Sequence, residues 1–245
     1  MSTRTLWVTG AGSGMGRASA VAAARAGWQV VLSGRRREVL GEVAAQIEAH
    51  GGTALVVPLD VTDPEAVTAA AALIEQDLGE VDAVVLSAGL NAKRRAWSDQ
   101  DLTEFTAITG TNLLGPVAVI DAVLPAMRER RRGTVVLVSS FAGWRTSPSA
   151  GVAYSATKTA LGPLTEILNL QENHHGIRAC HLCPGDVDSD FLEQRPEVPG
   201  DADRALMVTA EDVARTVMFV LESPQNVVIN ELVVTPAKAE QACPS

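Results

Sequence analysis

Tyr154 and Lys158 are separated by one turn of a predicted helix, and Tyr154 is the only tyrosine in the chain. Side chains four residues apart lie on the same face of a helix, so the phenol and the ammonium group are expected to be neighbours. A free phenol, with a pKa of about 10, is a poor proton donor or acceptor near neutrality. A nearby ammonium stabilises the phenolate and lowers that pKa. The spacing therefore predicts an acid–base pair, with coincidence as the alternative.

A glycine-rich segment, TGAGSGMG at residues 9–16, joins the first predicted strand to the first predicted helix. Glycine permits a sharp turn and lets backbone amides approach an anion without a clash from a Cβ atom. The free amides at the start of the next helix add to such a site. The segment predicts a pyrophosphate-binding loop, with an ordinary glycine-rich turn as the alternative. The expected contacts are Gly10, Ser13, Gly14, Met15 and Gly16.

The second predicted strand ends in the sequence SGRRR at residues 33–37, and no acid occurs before Glu38. An NAD site usually carries an acid here for the ribose hydroxyls, whereas guanidinium groups suit the 2′-phosphate of NADP(H). Arginines at a helix N-terminus oppose the helix dipole, which favours phosphate binding over the alternative of a solvated basic helix start. We therefore predict that NADP(H) is preferred over NAD(H). The expected contacts are Gly34, Arg35, Arg36 and, just after the glycine loop, Arg17.

Short apolar runs alternate with longer helical patterns along the chain. Strands are predicted at residues 6–9, 30–33, 55–58, 83–86, 135–138, 178–182 and 228–234, and helices at 15–26, 37–50, 64–78, 102–130, 153–174 and 210–221. This order predicts an α/β fold, a doubly wound (Rossmann) three-layer sandwich with a parallel sheet. One domain covers residues 1–236, including an irregular candidate substrate lid at 184–208. Residues 237–245 are predicted to form a loose tail.

The composition excludes several classes of function. The 245-residue chain is 47 % apolar and 20 % charged, which is typical of a globular protein. A formal net charge of −9 argues against nucleic acid as a partner, because phosphate binding needs a basic face. Apolar runs stay short of the roughly 18 residues of a membrane span, so no membrane partner is predicted. The first residues lack a basic and apolar leader, and a cytoplasmic location is expected.

Cys180 and Cys183 form a C-x-x-C pattern of the kind found in metal and redox sites. The pair falls in a predicted buried strand, where residues three apart face opposite sides. A second cysteine pair that would complete a zinc site is missing from the sequence. The sequence therefore predicts buried apolar cysteines and no bound metal.

Taken together, the motifs resemble the short-chain dehydrogenase/reductase family over nearly the whole chain. The matching segments are residues 9–16, Asp60-Val61, Ser87-Ala88-Gly89, Asn112, Ser139-Ser140, Tyr154-x-x-x-Lys158 and Pro184-Gly185-x-Val187. The resemblance implies one doubly wound sheet of seven parallel strands and a homotetramer or homodimer. It also implies hydride transfer between NAD(P) and a carbonyl or alcohol.

The resemblance assigns roles to the catalytic candidates. Tyr154 is the general acid in reduction and the general base in oxidation, and Lys158 lowers its pKa and holds the nicotinamide ribose. Ser140 hydrogen-bonds the substrate oxygen, with Ser139 as the alternative, because Ser140 lies 14 positions before Tyr154, one more than the commonest spacing. Asn112 positions a water in a proton relay.

The resemblance also implies cofactor contacts outside the glycine loop. Asp60 is expected to bind the adenine amino group, although a turn or helix-capping role is equally compatible with its position. The family run N-N-A-G is Leu86-Ser87-Ala88-Gly89 here, which puts cofactor affinity in question more than the chemistry. The remaining expected contacts are Val61, Ala88, Gly89, Pro184, Gly185, Val187 and Ser189.

The substrate is predicted to bind beyond the carboxyl ends of the strands. The expected contacts are Ser140, Arg94, Trp144, Arg145, Phe191 and Arg195. The cations among them suggest an anionic substrate group such as a carboxylate, with solvated surface loops as the alternative. Residues 209–236 resemble bacterial NADP-dependent enzymes that act on 3-hydroxy acids, and this resemblance implies a small 3-oxo or 3-hydroxy acid as substrate. The predicted function is an NADP(H)-dependent ketoreductase or dehydrogenase. Alternatives are a 3-oxoacyl-carrier-protein reductase, a natural-product ketoreductase and, outside enzymes, an NADP-binding regulator or scaffold.

Overall fold

A computed structural model describes residues 3–237 of the chain. Its main sheet has seven parallel strands in the order β3-β2-β1-β4-β5-β6-β9, and a separate pair joins β7 to β8. The strands are β1 (Thr5–Thr9), β2 (Gln29–Ser33), β3 (Thr53–Val56), β4 (Val81–Leu86), β5 (Gly133–Val138), β6 (Ile177–Pro184), β7 (Val187–Asp188), β8 (Val208–Thr209) and β9 (Glu231–Val234). The helices are α1 (Gly14–Arg25), α2 (Arg37–Glu48), α3 (Pro64–Leu78), α4 (Leu102–Thr109), α5 (Gly115–Glu129), α6 (Phe141–Trp144), α7 (Val152–Glu172), α8 (Asp201–Arg204) and α9 (Ala210–Glu222).

Both faces of the main sheet are buried, which confirms the predicted doubly wound sandwich. Alternate residues of a strand point to opposite faces, so Leu6 and Val8 of β1 pack with α1, α2 and α9, while Trp7 packs with α3, α5 and α7. All three side chains are fully buried. The central strands are therefore rigid supports for the loops that leave their carboxyl ends.

The strand order reverses next to β1, because β2 and β3 continue on one side and β4 and β5 on the other. Parallel sheets open a crevice for ligands at such a reversal, beyond the carboxyl ends of the strands. The glycine loop and the segment after β4 meet there. Gly10 has a φ of +66°, and a Cβ atom at Gly10 would lie 2.7 Å from the backbone nitrogen of Ala88. Only glycine allows this close approach.

The helix predicted at residues 102–130 is interrupted by a π-helical turn at Gly110–Leu114. Pro116 has no amide hydrogen and cannot donate to the carbonyl group of Asn112 four residues earlier, which explains the break. By length and composition the 102–129 segment could cross a membrane, contrary to the sequence prediction. In the fold, Val119 and Met127 of α5 are buried against the sheet.

Two further segments differ from the predictions. Residues 184–208 are not wholly irregular, since β7 pairs with β8 and Arg204 binds Asp188 over 2.7 Å. The last strand begins at Glu231 instead of residue 228, because the carbonyl groups of Pro224 and Val227 accept hydrogen bonds from the Arg178 side chain. The predicted tail, apart from Ala237, lies outside the described residues.

Candidate active site

Tyr154 and Lys158 lie on adjacent turns of α7, with the Lys158 ammonium 5.7 Å from the centre of the Tyr154 ring. The helix begins immediately after Gly151, whose φ of +91° sets the direction of its first turn. Lys158 Nζ donates a hydrogen bond of 2.8 Å to the carbonyl oxygen of Val138, the last residue of β5. The structure therefore brings the predicted pair together and anchors the lysine to the end of a central strand.

The surroundings of the two groups act on their pKa values in opposite senses. Burial raises the pKa of Tyr154, and a hydrogen bond with Ser140 and the charges of Arg95 and Arg195 oppose that rise. Burial lowers the pKa of Lys158 to about 8. In this arrangement the phenolate is stabilised by a serine hydroxyl and two arginines. The lowering of the Tyr154 pKa by Lys158 stays a prediction.

Ser139 and Ser140 have different positions, and only one of the two side chains faces the phenol. The Ser140 hydroxyl accepts a hydrogen bond of 3.2 Å from the Ala142 amide at the start of α6 and lies close enough to Tyr154 to oppose the rise in the pKa of the phenol. The Ser139 hydroxyl is buried and donates to the carbonyl oxygen of Lys158 over 3.0 Å. This geometry favours Ser140 as the residue that contacts substrate.

Asn112 is fully buried in the π-helical turn and braces the loop after β4. Its Oδ1 atom accepts from the Leu90 amide over 2.7 Å, and its Nδ2 atom donates to the Leu90 carbonyl over 2.8 Å. The Asn112 carbonyl lies in the π-helical turn, where Pro116 cannot donate to it, and we expect this oxygen to bind the water of the relay. The relay itself stays a prediction.

The glycine loop has the geometry of an anion cradle. A Cβ atom at Gly16 would overlap with the carbonyl group of Gly10, and Gly14 has a φ of +49° and faces Ser189 of the lid. The first turn of α1 has neither an acid nor a side-chain cap from Ser13, so its amides remain available to an anion. The backbone of Met15 belongs to the same turn.

The arginines predicted for the 2′-phosphate are separated in space. Arg35 lies near Asp60, and its charge helps to lower the pKa of that carboxyl, although the backbone hydrogen bond from Thr62 is the larger cause. Arg36 precedes the first turn of α2. Arg17 instead donates to the side chain of Gln46 over 2.9 Å. Gln46 lies about 14 Å along the axis of α2 from the start of that helix. Arg17 is thus paired with Gln46, and its contact with the 2′-phosphate stays a prediction.

Asp60 was predicted either to bind adenine or to stabilise a turn, and in the structure it stabilises a turn. Its Oδ1 atom accepts from both the amide and the hydroxyl group of Thr62, at 2.9 and 2.8 Å. The neighbouring Val61 is buried beneath Gly115. The structure therefore uses Asp60 to shape the loop after β3, and adenine binding stays a prediction.

The other predicted cofactor contacts line the same crevice. A Cβ atom at Gly89 would lie 3.9 Å from Lys158 Nζ and 3.8 Å from the Phe191 ring. Ala88 contacts the glycine loop through a 3.4 Å bond to Thr9. The Gly185 amide, next to Pro184, donates to Val234 over 2.7 Å, and Val187 begins β7.

Among the predicted substrate contacts in the lid, Phe191 packs beside the phenol, with ring centres 5.9 Å apart. Arg195 also lies close enough for its charge to act on Tyr154, although it forms an ion pair with Asp186. Arg94 is exposed and binds Glu104 over 3.0 Å. The Arg94 charge is therefore paired with an acid, and its contact with substrate stays a prediction.

Trp144 and Arg145 form a local stack at the mouth of the crevice. The Arg145 guanidinium lies 4.0 Å from the centre of the Trp144 ring, and that ring contacts Phe141 edge-on at 5.5 Å. Arg145 is exposed. Its cation is held by the indole and is not directed at Tyr154, so a role in binding an anionic substrate is not supported by its position.

The two cysteines of the C-x-x-C pattern are buried on opposite faces of β6, as predicted. Cys180 belongs to the core beside α1 and α9, whereas Cys183 lies 3.4 Å from the His181 ring. Burial raises the pKa of each thiol to about 12. The donor atoms of His181, Cys183 and Glu231 lie within 4.8 Å of one another. His181 and Glu231 are joined by a hydrogen bond of 3.1 Å.

Comparison with known proteins identifies the family. The family model described as short chain dehydrogenase matches residues 4–199. The chain belongs to the short-chain dehydrogenase family. An uncharacterized oxidoreductase from Staphylococcus aureus (strain MW2) is 32 % identical to this short-chain dehydrogenase over 229 residues, covering 94 % of the chain and 95 % of that protein. An uncharacterized oxidoreductase from Myxococcus xanthus (strain DK1622) is 39 % identical over 195 residues, covering 78 % of this chain and 75 % of that protein.

Solved structures have the same fold as this short-chain dehydrogenase. An alcohol dehydrogenase from the archaeon Thermococcus sibiricus, complexed with 5-hydroxy-NADP, superposes with a TM-score of 0.86 at 27 % identity, covering 96 % of this chain and 97 % of that one. The closed form of a serine dehydrogenase complexed with NADP+ gives a TM-score of 0.88 at 27 % identity, covering 97 % of both chains. These neighbours support a nicotinamide cofactor, and the glycine cradle described above fits its pyrophosphate.

For the active site of the short-chain dehydrogenase, the sequence prediction chose Arg94 in place of its neighbour Arg95 and did not single out Asn91 or Gln194. Arg95 lies near Tyr154, and Asn91 and Gln194 join the loop after β4 to the lid through a bond of 2.8 Å. A run of two arginines in a loop gives no signal that distinguishes them. A loop has no helical period from which the direction of a side chain could be predicted. Only the tertiary structure therefore shows that Arg95, and not Arg94, lies near Tyr154.

Proposed function

We propose that this short-chain dehydrogenase interconverts a carbonyl group and a secondary alcohol with NADP(H), and that Tyr154 is its acid–base catalyst. The single observation that best supports this function is the position of the Lys158 ammonium, one helical turn from Tyr154 and 5.7 Å from the centre of its ring. The Ser140 hydroxyl also lies close enough to Tyr154 to act on the pKa of the phenol. A substrate oxygen held between the two hydroxyl groups can accept a hydrogen bond from each.

Four residues of the chain have distinct roles in the proposed reaction. When bound, the cofactor supplies or accepts the hydride. In reduction, Tyr154 gives its proton to the substrate oxygen, and Ser140 donates a hydrogen bond that stabilises the negative charge developing there. Lys158 keeps positive charge beside the phenolate that remains. The proton is then restored from solvent through a water at the Asn112 carbonyl.

The preference for NADP(H) over NAD(H) rests on the end of β2. Arg35 and Arg36 stand where an NAD-binding protein places an acid, and Arg35 already lies beside the crevice at Asp60. Guanidinium groups bind phosphate oxygens bidentately. The NADP complexes of the alcohol dehydrogenase and the serine dehydrogenase support the same choice.

A small 3-oxo or 3-hydroxy acid is the substrate class that the site favours. Arg195 and Arg95 place positive charge near Tyr154, which suits a carboxylate. The bond from the Asn91 amide to Gln194 joins the lid to the loop after β4, and a lid held in this way favours a small substrate over those of a carrier-protein reductase or natural-product ketoreductase. The structural neighbour named serine dehydrogenase is consistent with a hydroxy acid.

The decisive experiment compares the wild type with Tyr154→Phe. Wild-type enzyme is screened with NADPH and NADP+ against small oxo and hydroxy acids, neutral ketones and acyl thioesters. We expect Tyr154→Phe to reduce kcat at least about 100-fold while the dissociation constant for NADPH stays within about twofold. A wild type that binds NADPH but turns over no substrate would support the regulator or scaffold. Full activity of Tyr154→Phe would refute the proposed mechanism.

We further propose a homotetramer or homodimer. Large apolar side chains are exposed on α4, the π-helical turn, α5 and α7, and exposed apolar side chains of this kind are typical of a subunit contact. They are Leu102, Leu114, Val117, Ile167 and Leu170. Light scattering after gel filtration should show Leu170→Glu as a smaller species than the wild type. A monomeric wild type would contradict the proposal.

A further inference from the structure

The Arg95 guanidinium group uses all three of its nitrogens to bind backbone carbonyls from three different segments. Nε donates to Ala92 over 2.9 Å within the loop after β4. The two terminal nitrogens donate to Ser149 over 2.9 Å and to Gln194 over 3.0 Å. Ser149 lies just before α7, and Gln194 lies in the lid. A planar guanidinium fork presents donors on three separate nitrogens in fixed directions, whereas the three donors of an ammonium all leave a single nitrogen.

The backbone of Arg95 is tied to the helix that carries Tyr154. The Val152 amide, in the first turn of α7, donates to the Arg95 carbonyl over 3.2 Å. Gly151 allows this contact, since a Cβ atom there would lie 2.8 Å from Arg95 Cβ. A movement of Arg95 would therefore disturb hydrogen bonds to both the lid and the first turn of α7.

A second contact holds the same segments together. The Gln194 side chain accepts a hydrogen bond from the Asn91 amide over 2.8 Å, and Asn91 Nδ2 donates to the Ala150 carbonyl over 3.1 Å. The lid is thus joined to the loop after β4 at Gln194 by both its side chain and its backbone. Arg95 is the only member of this group that carries a charge.

The charge of Arg95 is not neutralised within residues 3–237, where the ion pairs closer than 4 Å involve other arginines. Arg94 is paired with Glu104, and Arg195 with Asp186. Arg95 is also half-buried, so solvent screens its charge less than that of an exposed arginine. Its positive charge therefore acts on Tyr154 more fully than a paired arginine would.

We propose that Arg95 is a positioning residue that clamps the lid to the first turn of α7 and directs an unneutralised positive charge at Tyr154. This inference rests on the proposed function and adds a residue to its machinery. The clamp and the charge are separable. Lysine keeps the charge, but its single nitrogen cannot replace the three guanidinium nitrogens that reach carbonyls in three segments, and methionine keeps only an uncharged chain of similar length.

The test compares Arg95→Lys and Arg95→Met with Lys93→Met, which removes one exposed charge from the same loop. Activity is measured with the carbonyl compound that the wild type reduces fastest, and with the corresponding alcohol across a range of pH. Hydrogen–deuterium exchange in residues 190–208 reports the lid independently of activity. Circular dichroism and thermal unfolding confirm that each variant is folded.

We expect Arg95→Met to lower kcat/KM at least about tenfold and to move the midpoint of alcohol oxidation upward by about one pH unit, because the phenolate loses a stabilising cation. In both Arg95 variants, the hydrogen–deuterium exchange of the lid amides should be at least about threefold faster than in the wild type. Arg95→Lys should keep the wild-type midpoint, and Lys93→Met should match the wild type in every measurement.

The outcomes separate this inference from the proposed function. If Tyr154→Phe is inactive and both Arg95 variants behave like Lys93→Met, the role of Arg95 is refuted while the function stands. An unchanged pH midpoint in Arg95→Met would refute the claim that the Arg95 charge acts on Tyr154. Unchanged amide exchange of the lid in both Arg95 variants would refute the claim that Arg95 holds the lid in place. If Tyr154→Phe is fully active, the proposed function itself fails.

Discussion

The Ser139 hydroxyl donates a hydrogen bond of 3.0 Å to the backbone carbonyl of Lys158, so the residue after β5 is fastened to the helical turn that bears the lysine. The Ser139 amide in turn donates to Leu182 of β6 over 2.7 Å. Together with the bond from Lys158 Nζ to Val138, these contacts fix the lysine relative to two central strands. Positioning of the ammonium therefore depends on a serine that need not contact substrate.

Ser139→Ala should lower kcat while substrate binding changes little. The variant loses one buried hydrogen bond, which typically contributes about 1 kcal/mol to stability, and lets the Lys158 turn move away from β5. We expect a fall in kcat of about tenfold, a change in KM below about twofold and a slightly lower Tm. Ser140→Ala is the comparison, and it should cost more activity with little loss of stability. Equal kcat values for Ser139→Ala and the wild type would contradict the positioning role.

Gly143→Ala should damage the same contact by a steric route. A Cβ atom at Gly143 would overlap with Ser139 Oγ and lie 2.6 Å from the Lys158 carbonyl oxygen. Because the nearby atoms are backbone or a bonded hydroxyl, they cannot move aside cheaply, and we expect a lower Tm and a kcat reduced at least about tenfold. Gly41→Ala in α2 is the matched control, since nothing lies within 4 Å of a Cβ atom there. That control should be neutral or slightly stabilising.

Lys158→Met should change the dependence of stability on pH. Burial lowers the pKa of Lys158 from its ordinary 10.5 to about 8, so the folded state disfavours the ammonium by about 3 kcal/mol. Between these values the unfolded chain binds more protons, and this group makes wild-type stability rise with pH. The variant lacks that contribution. Its stability relative to the wild type, measured by urea unfolding without cofactor, should therefore fall by about 3 kcal/mol from pH 7.5 to pH 10.5. A pH-independent difference would show that the buried ammonium is not disfavoured.

Arg35→Ala should weaken the preference for NADP(H). Removing the guanidinium takes away a charged partner of the 2′-phosphate, so we expect KM for NADPH to rise at least about tenfold and KM for NADH to stay within about twofold. Arg25→Ala, at the far end of α1, serves as the control for loss of one positive charge. If the wild type has a kcat/KM for NADH equal to or above that for NADPH, the predicted preference is wrong.

Much of the fold follows from local patterns in the sequence. Helix α3 has its predicted bounds, because Asp63 caps its first amides and Pro64 suits its first turn. The strands are short apolar runs that could be buried only in a sheet covered on both faces. The break at Gly110–Leu114 was missed, since Pro116 can be accommodated in a first helical turn as readily as it can end a helix.

The sequence by itself determined the parallel sandwich, the glycine loop and the phenol–ammonium pair, because each depends on residues close together in the chain and on the fixed periods of helix and strand. Tertiary structure alone decided which neighbouring residue faces the crevice. Ser140 and not Ser139 faces the phenol, Arg95 and not Arg94 lies beside it, and Arg17 is paired with Gln46. The physical reason is that loops have no repeating period, so the direction of their side chains is set by hydrogen bonds to segments distant in sequence.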